Sequence, residues 1–192
     1  MMKEASKQPR KRAPRKATPR YLENTALHYL SRFASYSENF RRVMMRKVQR
    51  SARHHGTDPD QGQALIDDMI QRFLCSGLLD DEAYAKARAA GLHRRGNSSR
   101  IIRGKLKQKG LDDGVIDLAL AALGDGDEDP EQTAAIRFAR RRHLGPFSLR
   151  RPEDGEQENQ REKHLLAMAR AGFSYAMAKC IIDAASEDDL LT

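Results

Sequence analysis

The chain has 192 residues, 32% of them charged and 6% aromatic, with no Trp and a formal net charge of +8. Bulky apolar residues are too few for one thick core, and abundant Ala, Leu, Arg and Lys favour helices packed in thin layers. No apolar run approaches the roughly 18 residues of a membrane span, and the N-terminus lacks the apolar stretch of a secretory signal, so a cytoplasmic protein is expected.

In chain order, residues 1–20 hold eight basic residues against Glu4 alone, a net +7, with no apolar stripe. They read as a disordered basic arm. A first helix begins near Leu22 and sets Ala26, Tyr29, Leu30 and Phe33 on one stripe. Ser35 with Glu38 three residues on forms a capping box for a second helix carrying Phe40, Val43, Met44 and Val48. A polar loop from Ser51 to Gln63, with Gly56, Pro59 and Gly62, is expected to end it. The third helix carries Leu65, Ile66, Met69, Ile70, Phe73 and Leu74 up to Gly77.

The pattern then restarts. Asp80 or Asp81 caps a fourth helix with Tyr84, Ala85, Arg88 and Leu92. Asn97 or Ser98 caps a fifth, with Ile101, Ile102 and Leu106 inward and Gly110 closing it. Asp112 caps a sixth, which carries Val115, Ile116, Ala119, Leu120 and Leu123. Asp129-Pro130 opens a third round with Ala135, Phe138 and Ala139. A Pro/Gly/Glu-rich break over 144–157 precedes Leu165, Leu166 and Ala169, and Ser174 caps a last helix with Met177, Ala178, Ile181 and Ile182. No segment alternates with period 2, so no sheet is predicted.

Two repeats support a threefold organisation. Leu106-x3-Gly110-Leu111-x3-Val115 matches Met168-x3-Gly172-Phe173-x3-Met177. Charge alternates in step: net +6 over 32–55, −6 over 58–82, +9 over 86–109, −8 over 112–131 and +6 over 137–151. The expected fold is all-α: three tandem three-helix repeats (21–77, 78–125 and 126–192, the last with an internal acidic loop) forming an elongated, curved body after the basic arm.

Several phrases resemble the RecX family of recombinase regulators. They are Ala26-Leu27-x-Tyr29-Leu30 followed by Ser37-Glu-x-Phe-Arg-Arg42, and Gly77-Leu-Leu-Asp-Asp-Glu-Ala-Tyr-Ala85. His93-Arg-Arg-Gly96, Leu106-Lys-Gln-Lys-Gly110 and the Gly172-Phe173 close follow in order. The basic arm, the Ser51–Gln63 stretch and the acidic 152–158 stretch depart from the family pattern. The resemblance implies a cytoplasmic regulator of the RecA recombinase filament on single- or double-stranded DNA, acting in DNA repair, recombination and the SOS response. Inhibition of strand exchange, ATP hydrolysis and co-protease activity is the implied effect.

Residue chemistry points the same way. Arg94, Arg95, Arg100, Arg103, Lys105, Lys107 and Lys109 crowd one stretch, and Arg100, Arg103 and Lys107 fall on one outward strip of the fifth helix. Clustered cations favour contact with phosphates or an acidic protein groove. Arg140 and Arg141, with Arg142, form a second patch that fans around its helix.

No catalytic motif is present, and no enzyme, cofactor or metal is expected. The six His residues form neither an HExxH nor a Cys/His zinc pattern. Acidic pairs at helix starts read as caps. Asp125-Gly-Asp127-Glu128-Asp129 lacks the later ligands of a calcium loop. Cys75 and Cys180 are expected as buried free thiols of a monomer in a reducing compartment. The alternative function is a sequence-specific helix-turn-helix DNA binder built around Leu106–Leu111. Against it, the helix after the turn begins with Asp112-Asp113 and carries Asp117.

Overall fold

The computed structural model describes residues 13–124, 129–149 and 155–190. Those residues form nine α-helices and no strand. They are α1 (Pro19–Leu30), α2 (Ser37–His55), α3 (Pro59–Cys75), α4 (Asp81–His93), α5 (Ser99–Lys107), α6 (Asp113–Ala121), α7 (Pro130–Arg142), α8 (Gln157–Arg170) and α9 (Tyr175–Ile182). The helices pack in threes: α1 with α2 and α3, α4 with α5 and α6, and α9 with α7 and α8. Two compact units result, one ending at Leu79 and the other starting at Asp80.

Short polar side chains start most helices by accepting a backbone N–H that the helix leaves unpaired. Thr18, Asp58, Asp80, Ser98, Asp112, Asp129 and Ser174 all do so. Of the alternatives open in the sequence, Asp80 and Ser98 are the caps.

In the first unit Leu22, Ala26, Phe40, Met44, Val48, Ile66, Met69, Ile70, Phe73 and Leu79 share one buried core. Phe40 meets Phe73 edge-on at 5.7 Å between ring centroids. Several expectations need correction here. Pro19 and Arg20 belong to α1 rather than to an arm, because Thr18 caps the helix and Pro takes its first turn. Residues 1–12 of the expected arm lie outside the described residues. Phe33 is past the end of α1 and half exposed, lying against the Tyr29 ring at 5.4 Å. Tyr36, not Ser35, precedes α2, and Ser35 instead accepts a hydrogen bond from Asn39 at 2.9 Å.

The Ser51–Gln63 loop is mostly helix: α2 runs on to His55 and α3 starts at Pro59. Composition misleads because two of its polar-looking residues are interior. Ser51 is fully buried and accepts from the Ala17 N–H at 2.8 Å. Gly62 sits where a Cβ would lie 2.4 Å from Val48 Cγ1, so only glycine lets α3 approach α2 this closely. Both cysteines are exposed, not buried. Cys75 and Cys180 sit on outer faces of α3 and α9, while Phe73, Ile181 and Ile182 point inward.

In the second unit, Ile102, Leu106, Leu111, Ile116 and Ala119 bury the apolar faces of α5 and α6. A separate cluster of Ala134, Ala135, Ala139, Leu144, Met168, Phe173, Ala178 and Ile181 joins α7, α8 and α9. The acidic loop expected after 151 falls largely outside the described residues, as do 125–128 of the Asp-rich turn.

Candidate functional site

The sequence places its candidate residues on α5 and on the turn before it, and the second unit holds that turn by a polar seam. Ser98 caps α5 and donates its hydroxyl to the Ala171 carbonyl at 2.6 Å, fully buried. Glu131, in the first turn of α7, accepts from the Ser99 N–H at 3.0 Å and from its hydroxyl at 2.6 Å. His93 Nε2 lies 2.7 Å from the Pro130 carbonyl oxygen. Gly96, at φ +72°, lies where a Cβ would be 2.7 Å from the Phe138 backbone nitrogen. The start of α5 is thus fixed by part-buried hydrogen bonds and backbone contact, which limits how far its side chains can wander.

On this support the predicted strip faces outward. Arg94, Arg95, Arg100, Arg103, Lys105 and Lys107 are exposed, and Lys109 is half-buried with its ammonium 6.0 Å from the Tyr84 ring centroid. The strip is not uniformly free. Arg103 pairs with Asp117, and Lys107 pairs with Asp113 at 3.1 Å, both acids belonging to α6. Lys105 donates to the Asn97 side chain at 2.7 Å. Among the described residues, no carboxylate pairs with Arg94, Arg95 or Arg100. The cations most available to a partner therefore lie at the N-terminal end of α5 and in the turn before it.

The second predicted patch does not assemble. Arg140 pairs with Glu187 and lies over Phe147, with 5.5 Å between guanidinium and ring. Arg141 donates to the Arg95 carbonyl and lies over Phe138 at 5.8 Å. The two side chains turn to different neighbours, and Arg141 joins the seam that holds the α4–α5 turn.

Two further polar centres were not singled out by sequence reasoning. Arg161 grips Asp183 through two bonds of 2.6 and 2.7 Å, which holds the Asp183 carboxyl below the usual carboxylate range. His164 Nδ1 accepts the Gly145 N–H at 3.1 Å, and burial lowers the pKa of its ring. Histidine and arginine spaced three apart on a helix carry no signal of these partners in sequence. Among the described residues no group of three or more His, Cys, Asp or Glu is placed to hold a metal ion, and no helix is long and apolar enough to cross a membrane.

Helices packed in threes, with charge on their outer faces, define an all-helical protein of three-helix units. Comparison with known proteins narrows this. Residues 80–120 match the family model described as RecX, second three-helix domain, which spans α4 to α6. The chain is 41% identical over 170 residues to the Regulatory protein RecX of Myxococcus xanthus, covering 88% of each. It is 30% identical over 168 residues to that of Agrobacterium fabrum, covering 88% of this chain and 85% of the relative. The match to the Mycolicibacterium vanbaalenii protein of the same name is 33% over 132 residues, 67% of each. The chain belongs to the RecX family of regulatory proteins.

Proposed function

We propose that this chain binds the RecA recombinase filament on DNA and restrains its strand exchange, ATP hydrolysis and co-protease activity, working as a non-catalytic cytoplasmic regulator. The reading rests on family membership for the kind of partner and on the α4–α5 turn for the surface. The observation that carries the surface is the contrast at that turn. Arg94, Arg95 and Arg100 stay exposed without a carboxylate partner among the described residues, while the backbone beneath them is fixed by Ser98 and Glu131. A rigid base bearing free guanidinium groups loses little entropy when it meets an anionic surface. Arg103, Lys105, Lys107 and Lys109 border the surface and shift its potential, and Arg141 supports it from α7 through the Arg95 carbonyl.

The alternative of a sequence-reading helix-turn-helix is weaker. The helix that would enter the groove is α6, whose Asp113 and Asp117 are exposed and would face phosphates of like charge. Charge reversal at Arg100 and Arg103 tests the proposal, with binding to preassembled recombinase filaments as the readout. The reversed protein is expected to stay folded and bind at least tenfold more weakly, a change of about 1.4 kcal/mol. Unchanged filament binding by the folded variant would exclude this surface.

A further inference from the structure

A second cationic surface, on α2 of the first unit, has a different character. Arg42, Arg46, Arg50 and Arg53 recur at i, i+4, i+8 and i+11, so all four lie on one side of the helix, and all are exposed. At 1.5 Å of rise per residue the row is about 16 Å long. Arg42 bonds the Tyr36 hydroxyl at 3.3 Å. Among the described residues, no carboxylate pairs with any of the four. Three acids of α2 and α3 are engaged elsewhere: Asp67 and Glu38 with Arg41, and Asp68 with Arg72.

The row borders a concave space. Pro14, Arg46, Gln49, Arg50, Arg53 and His54 line a cavity of about 390 Å³. The incoming chain is tied to this end of α2, since His55 Nε2 lies 2.7 Å from the Pro14 carbonyl oxygen and the Ala17 N–H donates to Ser51. Arg15 and Lys16, both exposed, follow Pro14 directly.

A helix-capping role explains only part of this row. Arg53, His54 and His55 in the last turn complement the C-terminal end of the helix dipole. Arg42 and Arg46 lie two to three turns away, where that effect has faded. Four unpaired guanidinium groups repel one another, and a polyanion of matching spacing relieves this. Arginine forks fit phosphate oxygens through two parallel bonds, and Gln49, exposed between Arg46 and Arg50, is a further phosphate donor. From Arg42 to Arg53 the helix has no Phe, Tyr or Trp on which unpaired bases could stack, which favours a duplex over a single strand.

We propose that the arginine face of α2 binds the phosphodiester backbone of duplex DNA without reading sequence. This goes beyond the recombinase reading and stands or falls without it, because it concerns another helix, another unit and a ligand offered with no recombinase present.

The test uses the full chain and a labelled duplex of random sequence, with the dissociation constant measured across a salt series. Each phosphate contact contributes about 0.9 to the slope of log affinity against log salt. The R46A/R50A/R53A variant is expected to lower the slope by about 2 to 3, and the R46K/R50K/R53K variant to keep most of it. R100E, on the other unit, is expected to leave the contribution of α2 in place, so that adding the triple alanine change to it still lowers the slope by 2 to 3. An unchanged slope in a triple-alanine protein with wild-type helicity overturns the proposal. So does a loss seen only with single-stranded DNA, or only in variants that have lost helicity. If the triple variant does not fold, R46Q and R50Q singly must each lower the slope by about 0.9; no change in either overturns the proposal equally.

Discussion

Helices α2 and α5 both look like basic faces in sequence, yet they differ in what remains free after folding. On α5 two of the four cations, Arg103 and Lys107, are met by Asp117 and Asp113 of α6. On α2 only Arg41 is met, by Glu38 and by Asp67 of α3, and the row from Arg42 to Arg53 has no carboxylate opposite it among the described residues. The acidic segments that follow the two helices have similar net charge, −6 over 58–82 and −8 over 112–131. What matters is direction. Asp113 and Asp117 are four apart on α6 and face back to α5, whereas Asp68 pairs within α3 to Arg72 and leaves α2 alone. Available charge follows from which faces meet, not from the sum over a segment.

The comparison breaks most severely if either helix loses its footing. Leu106→Ala on α5 and Phe40→Ala on α2 each empty a fully buried site and are expected to cost about 2–5 kcal/mol. Denaturant unfolding checks this, and a cost below about 1 kcal/mol would mean that the cationic faces are not held by the cores described. Next in size is the functional effect of reversing Arg100 and Arg103, which lowers filament affinity at least tenfold while costing about 0.5 kcal/mol or less per exposed change. Filament binding and thermal melting on the same samples separate the two effects.

The contrast can also be narrowed deliberately. Asp113→Asn with Asp117→Asn releases Lys107 and Arg103, and is expected to steepen the salt dependence of duplex binding by about 1 to 2 as α5 becomes more like α2. Its stability cost is small, because exposed pairs contribute about 0–1 kcal/mol each. A salt slope that does not move would mean that pairing with α6 was not what restrained these cations.

The smallest effect concerns pH, away from both faces. Burial lowers the pKa of His164 from its ordinary 6.5, and its Nδ1 can accept the Gly145 N–H only while unprotonated. The unfolded chain therefore takes up the proton first as pH falls. The stability supplied by neutral His164 is present above about pH 6.5 and is lost as pH drops from there toward the lowered value of the folded state. His164→Gln is expected to flatten the melting temperature over that interval, which a pH series of thermal scans checks. A profile as steep as wild type would assign the acid sensitivity to other groups.

Much of the fold could be read from the chain because its signals are local. Asp80, Ser98, Asp112, Asp129 and Ser174 cap the helices their spacing announces, and the apolar stripes of α5 and α6 point inward as periodicity requires. What escaped depends on contacts far apart in sequence. Ser51 and Gly62 look like loop residues until Ala17 and Val48 are brought against them. The outward direction of Arg100 followed from Ile102 and Leu106, but the pairing of Arg103 with Asp117 did not. Neither did the use of Arg141 to hold the Arg95 carbonyl. The α2 row was within reach, since the spacing of Arg42, Arg46, Arg50 and Arg53 is helical. The assumption of a loop from Ser51 cut the row short before Arg53.

DNA-dependent ATP hydrolysis by the recombinase of the same organism tests the central claim most directly, with the wild-type protein and the Arg100/Arg103 reversal compared across one concentration series. Wild type is expected to suppress hydrolysis, and the folded reversal variant to require at least tenfold more protein for the same suppression. Hydrolysis that wild type leaves unchanged, or that both proteins suppress at equal concentrations, would contradict the account.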